Sequence, residues 1–237
     1  QGFTQLKVPS DGSCLFNSVT LAFDNTTEKS DECRATVATY VLSDPQKFNK
    51  IFDKFREFGG TGLVVPGELG GLGAPSIDAV RAQRAIGSRS PSLGAGTTMH
   101  HLSLASLTEF ARGATDDDRA LIKGLVDQKA IVASGFSEGV TGGSVFIPTM
   151  TAVKKGDNYI VNGSKKPCSL ARSMDLLTCS VEIDSGDRAV ALIPAGLPGM
   201  SVKPFWTTDI LAGAQSEEVL LEDVEVPASL VLPNKDD

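Results

Sequence analysis

The chain has 237 residues, and its 29 acidic against 22 basic side chains give a net charge of -7. That balance excludes an extended nucleic-acid surface, which needs clustered lysine and arginine. Hydrophobic residues make up 41%, enough for one or two domains with a core, yet no apolar run approaches the roughly 18 residues that would span a bilayer. The four cysteines, Cys14, Cys33, Cys168 and Cys179, show neither metal-site nor disulfide-framework spacing. With no targeting signal visible at the N-terminus, the expected setting is intracellular, soluble and cytoplasmic. The two histidines, His100 and His101, are adjacent and lack a cysteine or carboxylate at ligand spacing, so no metal is expected.

Residues 1–53 read as helical after an extended entry. Cys14 to Phe23 and Asp31 to Leu42 are candidate helices. Pro45 opens a third, with Phe48, Ile51, Phe52 and Phe55 at spacings of three and four, and Gly59-Gly60 stops it. Residues 54–129 are helical with glycine-rich joints. Leu63 to Pro66 is a short apolar run, and Gly67 to Gly73 is too rich in glycine for a helix. Helices are predicted over Ser76 to Ile86 and Thr97 to Arg112, the second with Met99, Leu102, Ser106 and Phe110 near one face. Thr115 caps a further helix whose first turn carries Asp116, Asp117 and Asp118, a solvated start that suits the helix dipole.

From about residue 130 to 233 the period changes from 3.6 to 2. Strands are predicted over Ala130 to Phe136, Leu176 to Ile183, Arg188 to Ile193, Met200 to Phe205 and Val219 to Val226. Thr151 to Lys154 and Asn158 to Asn162 flank Lys155-Gly156-Asp157 as a hairpin. The predicted fold class is α+β: a helical N-terminal region followed by a small antiparallel β-barrel-like domain.

The glycine clusters do not form GxGxxG between a strand and a helix, and no phosphate-binding loop is present. The segment Gly135-Phe136-Ser137-Glu138-Gly139-Val140-Thr141-Gly142-Gly143-Ser144 carries more information. Its small residues leave backbone N–H groups open to a ligand, and a flavin ring needs such donors at its pyrimidine edge. A plain glycine-rich turn has the same composition.

The wider pattern resembles the acyl-CoA dehydrogenase family. Gly62 to Gly73 looks like its GL-x-VP-x-E-x-GG-x-G signature, and Met99-His100 sits where the family commonly has a histidine. Ser137-Glu138 is similar to its Thr-Glu, Tyr159 to Lys165 to its Y-x-x-NG-x-K hairpin, and Val219 to Pro227 to its closing V-x-x-E-D-V-x-VP. These motifs occur in family order from about Gly59 to Pro233. The resemblance implies a helical domain over 54–129, a middle β-domain over 130–233, and a C-terminal helical domain that this chain lacks. It implies FAD held by Phe136, Ser137, Gly142, Gly143, Cys168 and Ser169. The activity implied is α,β-dehydrogenation of an acyl-CoA thioester, with hydride transfer to FAD, an electron-transfer acceptor and a homo-oligomer. The family's base lies in the C-terminal domain, so no residue here is assigned that role, and an incomplete enzyme is expected. Two departures stand out: Pro167-Cys168 replaces Trp-Ile, and Gly142-Gly143-Ser144 replaces Gly-Ser-Asp.

A second resemblance covers residues 1–53. Val8 to Val19 is similar to the active-site segment of OTU-type cysteine proteases, with Asp31 to Phe52 continuing the likeness. It implies Cys14 as nucleophile, Asp11 at the oxyanion site and ubiquitin as partner. The sequence thus reads as a chimera joined near Asp53, with a non-catalytic fragment as the third alternative.

Overall fold

The computed structural model describes residues 46–112, 115–139, 147–207 and 210–233. The helices predicted over Cys14 to Phe23 and Asp31 to Leu42 lie outside them, as do Asp11, Cys14, Gly142 and Gly143. The chain divides into two units, Gln1–Asp53 and Lys54–Asp237, and all of the described residues except 46–53 lie in the second.

Helix α1 (Gln46–Glu57) crosses that boundary. It stops where the sequence predicts: Gly59 takes φ +75°, a left-handed geometry that favours glycine. Its last turn is clipped to the sheet by Arg56, whose guanidinium reaches the Asp175 carboxylate at 2.8 Å and the Lys129 carbonyl at 3.3 Å. The glycine-rich segment that follows folds on itself, with Leu72 N–H donating to the Gly62 carbonyl and Ala74 N–H to that of Leu63. Val65 is thereby sealed into the core.

Helix α2 (Ser76–Arg89) runs one turn beyond its predicted end, and α3 (Pro91–Arg112) begins two turns before its predicted start. Proline at the first helical position costs no hydrogen bond. A Cβ on Gly94 would sit 2.8 Å from the Cα of Gly87, so α2 and α3 meet through bare backbone. Helix α4 (Asp116–Asp127) opens with a full capping box between Thr115 and Asp118.

The strands are β1 (Val132–Gly135), β2 (Thr151–Lys155), β3 (Asn158–Cys168), β4 (Leu176–Ile183), β5 (Arg188–Pro194), β6 (Met200–Lys203), β7 (Glu217–Pro227) and β8 (Val231–Pro233). They form one sheet in the order β6-β7-β3-β2-β4-β5-β8, with β1 also paired to β4. The pairing is an open path, mostly antiparallel. Both β1 and β2 run parallel to β4, which differs from the antiparallel barrel-like domain expected from the sequence. The physical reason is connectivity: β1 is entered from α4, and a long connection leads on to β2, so neither reaches β4 by a hairpin. The predicted hairpin does form, with Lys155 opposite Asn158 around Gly156-Asp157. Six successive residues of β4 are buried, and the core joins Leu104, Leu107 and Ala111 of α3 to Ile122, Val132, Leu176 and Leu192.

Candidate flavin site between helix α3 and the sheet

A cavity of about 660 Å³ lies between α3 and the sheet, within the size range of small-molecule sites. Its helical wall is Met99, Leu102, Ser103, Ser106, Leu107 and Phe110, which contains the whole face predicted from periodicity. Side chains at i, i+3 and i+7 stack along one stripe, so α3 presents them together. The sheet wall includes Ser134 and Phe136 of the β1 segment, Thr178 and Ser180 of β4, and Arg188 of β5.

Of the residues assigned to the cofactor, Phe136 and Ser137 line this cavity, with Pro167 beside them. The backbone holds Ser137 in place: its carbonyl accepts from Lys166 N–H at 2.7 Å. Cys168 does not reach the cavity. It is wholly buried, its thiol faces the Lys165 carbonyl at 3.3 Å, and burial pushes that thiol up to about 12. Ser169 also stays out of the lining. Its hydroxyl pairs with Ser216 at 2.9 Å, and Ser216 borders a second cavity of about 460 Å³ with Pro167 and Trp206.

Two charged residues behind the cavity wall had no site role in the sequence reading. Lys165 is fully buried, and its ammonium lies 2.6 Å from Glu138 and 3.0 Å from the Ser180 hydroxyl. Glu138 also accepts from the Thr149 N–H at 2.9 Å and from the Thr149 hydroxyl at 2.7 Å. Burial alone would raise the Glu138 carboxyl, but the hydrogen bonds from Lys165 and Thr149 outweigh it and hold the group at about 2. The sequence did carry a signal for Lys165. It shares a strand face with Val161, which points inward.

The histidines play a different part. His100 is fully buried, its Nε2–H donating to the Thr61 carbonyl at 3.0 Å and its Nδ1 accepting from Val132 N–H at 3.0 Å. Burial, with His101 beside it, pushes His100 down to about 4. His101 donates from Nε2 to the Gly60 carbonyl at 2.8 Å and meets the Gln83 amide at Nδ1, 2.7 Å away. Both rings are neutral cross-braces joining α3 to the glycine-rich segment, and all four nitrogens are engaged by protein groups.

Helices packed on a mostly antiparallel sheet, with a hydroxyl-bearing cavity between, define an α+β protein with a candidate small-molecule site. No family model matches the chain. It is 46% identical over 189 residues to isobutylamine N-hydroxylase of Streptomyces viridifaciens, covering 77% of this chain and 50% of that protein. A probable acyl-CoA dehydrogenase of Bacillus subtilis is 26% identical over 186 residues, 76% of this chain and 49% of that one. Among solved structures, TdsC from Paenibacillus sp. A11-2 with FMN bound superimposes with a TM-score of 0.69 at 25% identity, over 77% of this chain and 46% of TdsC. These relatives and structural neighbours place the chain in the acyl-CoA dehydrogenase-like family of flavoproteins. The chain spans about half the length of the curated relatives it matches. The cysteine-protease likeness of residues 1–53 gains no support from the comparisons. No helix among the described residues is long and apolar enough to cross a membrane.

The cavity fits a flavin by the chemistry of its lining. Phe136 and Phe110 offer aromatic faces, Leu102, Leu107 and Pro167 offer apolar walls, and serine hydroxyls cluster beside Phe136. A planar apolar ring with one polar edge needs that combination.

Proposed function

We propose that this chain forms the flavin-facing part of an N-hydroxylating monooxygenase acting on a small aliphatic primary amine. One observation carries the reading: identity to isobutylamine N-hydroxylase is 46%, against 26% to the probable acyl-CoA dehydrogenase. The departures at Pro167-Cys168 and Gly142-Gly143-Ser144 agree with it, since both fall where the dehydrogenase motifs contact flavin or acyl thioester. In the reaction, one atom of dioxygen enters an N–H bond of the amine and the other leaves as water, consuming two electrons and two protons. A bound reduced flavin supplies those electrons.

The chain's own residues orient the ring. Phe136, Ser137 and Pro167 bound the ring site, and the α3 stripe from Met99 to Phe110 forms its helical wall. The cavity's sole charged lining residue among the described positions is Arg188. None of the described lining residues is a carboxylate that would hold an ammonium ion, which suits the neutral amine, the form with a nucleophilic lone pair. Either FMN or FAD satisfies these features.

The second reading is acyl-CoA dehydrogenation with FAD, an acyl thioester and an electron-transfer acceptor. The ordered dehydrogenase-type motifs from Gly62 to Pro227 favour it. One assay separates the two. The chain is supplied with reduced FMN or FAD, isobutylamine and isotopically labelled dioxygen, and the product is analysed by mass spectrometry. Labelled hydroxylamine supports the proposal. Anaerobic bleaching of oxidised flavin by acyl-CoA, without amine oxidation, overturns it in favour of dehydrogenation.

A further inference from the structure

Six hydroxyl side chains line the cavity: Ser103, Ser106, Ser134, Ser137, Thr178 and Ser180. Their hydrogen bonds divide them into two sets. Ser106 donates to the Leu102 carbonyl at 2.9 Å, so its proton is committed. Thr178 lies 2.9 Å from the Ala133 carbonyl and 3.2 Å from Ser103. A carbonyl only accepts, so Thr178 spends its one proton there and Ser103 must donate to Thr178. These three hydroxyls are closed.

Ser180 is in the opposite state. Its partner is the Lys165 ammonium at 3.0 Å, which has three donors and no lone pair. Ser180 Oγ therefore accepts, and its own proton has no partner among the described residues. Lys165 cannot turn away, because it is fully buried and held by Glu138 at 2.6 Å. The hydroxyls of Ser134 and Ser137 likewise have no side-chain hydrogen bond among the described residues. The three open hydroxyls line the same cavity, where β1 runs beside β4 with Ser134 opposite Thr178 and Gly135 opposite Cys179.

We infer that Lys165 is a positioning residue that fixes Ser180 as a hydrogen-bond donor into the cavity. With Ser134 and Ser137 it makes a three-donor end that takes an acceptor-rich, partly negative edge of a bound ring. The inference rests on the flavin reading above and deepens it: the edge held here is the carbonyl-bearing one. The ammonium lies one hydrogen bond behind Ser180. It polarises that hydroxyl without touching the ligand, because bonds in a hydrogen-bonded chain strengthen one another by about 10–30% each.

The test is a double-mutant cycle on flavin affinity, with FMN fluorescence quenching as the readout. Ser180→Ala weakens FMN binding by roughly tenfold, the scale of one such hydrogen bond. Lys165→Met is made together with Glu138→Gln, so that no charge is left buried alone. In that background Ser180→Ala costs markedly less than tenfold, because the donor is no longer fixed or polarised. A full tenfold loss in both backgrounds overturns the role of Lys165 and reduces it to a structural ion pair. Unchanged FMN affinity in Ser180→Ala, with wild-type binding intact, overturns the donor assignment and leaves the flavin reading standing. No binding of FMN or FAD by the wild-type chain overturns the flavin reading itself.

Discussion

Two buried polar clusters lie within the same unit, and they differ in what they leave over. Around His100 and His101 every ring nitrogen meets a protein partner, so the cluster is closed and structural. Around Lys165 the chain of bonds ends on Ser180 with one proton to spare, facing a cavity. Burial and residue type do not separate the two, since His100 and Lys165 are both fully buried. The count of donors and acceptors does. Histidine is the usual suspect for chemistry near neutral pH, yet here the lysine cluster borders the site.

Breaking each cluster gives the largest expected effects. Lys165→Ala leaves the partly buried Glu138 carboxylate without its cation, though still bonded to Thr149, and should cost about 1–3 kcal/mol of unfolding free energy, measured by urea titration. The paired Glu138→Gln with Lys165→Met change should cost much less. Equal losses from both variants would mean that the pair's charge is not what matters.

The two clusters also titrate in different windows. His100 is lowered from 6.5 to about 4 in the folded state. The unfolded chain therefore gains a proton first, and stability present above about pH 6.5 falls as pH drops toward 4, by about 3 kcal/mol in all. Glu138 is lowered from 4.5 to about 2, so its contribution is complete above about pH 4.5 and is lost between there and pH 2. Urea midpoints across pH 7 to 4.5 should show a steeper slope in wild type than in His100→Gln, the remainder belonging to His101, which burial also lowers. An unchanged slope in His100→Gln would assign it to another group.

Smaller effects test the frame that holds the clusters apart. Asp175→Ala removes the acceptor of the Ile131 N–H, 2.7 Å away, as well as the partner of Arg56. It should cost about 1–3 kcal/mol. Thr115→Ala removes half of the capping box on α4 and should cost about 1 kcal/mol in thermal or urea unfolding. Neither change should alter flavin affinity, because neither residue lines the cavity.

Much of this frame was legible in the sequence. Strand β4 falls on its predicted residues because its run of branched and apolar residues is bounded by turn signals. The α3 stripe was legible from Met99 onward, but the first two turns were not, since Gly94 and Gly96 dilute the apolar period. Strand β8 has three residues and ends in Pro233, too short for any alternation to register. In the cavity lining, Phe136 and Ser137 were named through the flavoprotein resemblance. Cys168, named with them, stays out of the lining because a strand residue can face either way, and the bulge between Lys165 and Cys168 resets the face. The Lys165–Ser180 contact joins residues on two strands, and pairing of that kind is set by the tertiary register rather than by local pattern.

The most direct test of the site is a crystal structure of the chain with FMN. The account predicts the flavin ring between α3 and the sheet, against Phe136, Ser137 and Pro167, with its carbonyl edge on Ser134, Ser137 and Ser180. A ring bound instead beside Trp206 and Ser216, with the α3 cavity unchanged, would contradict it.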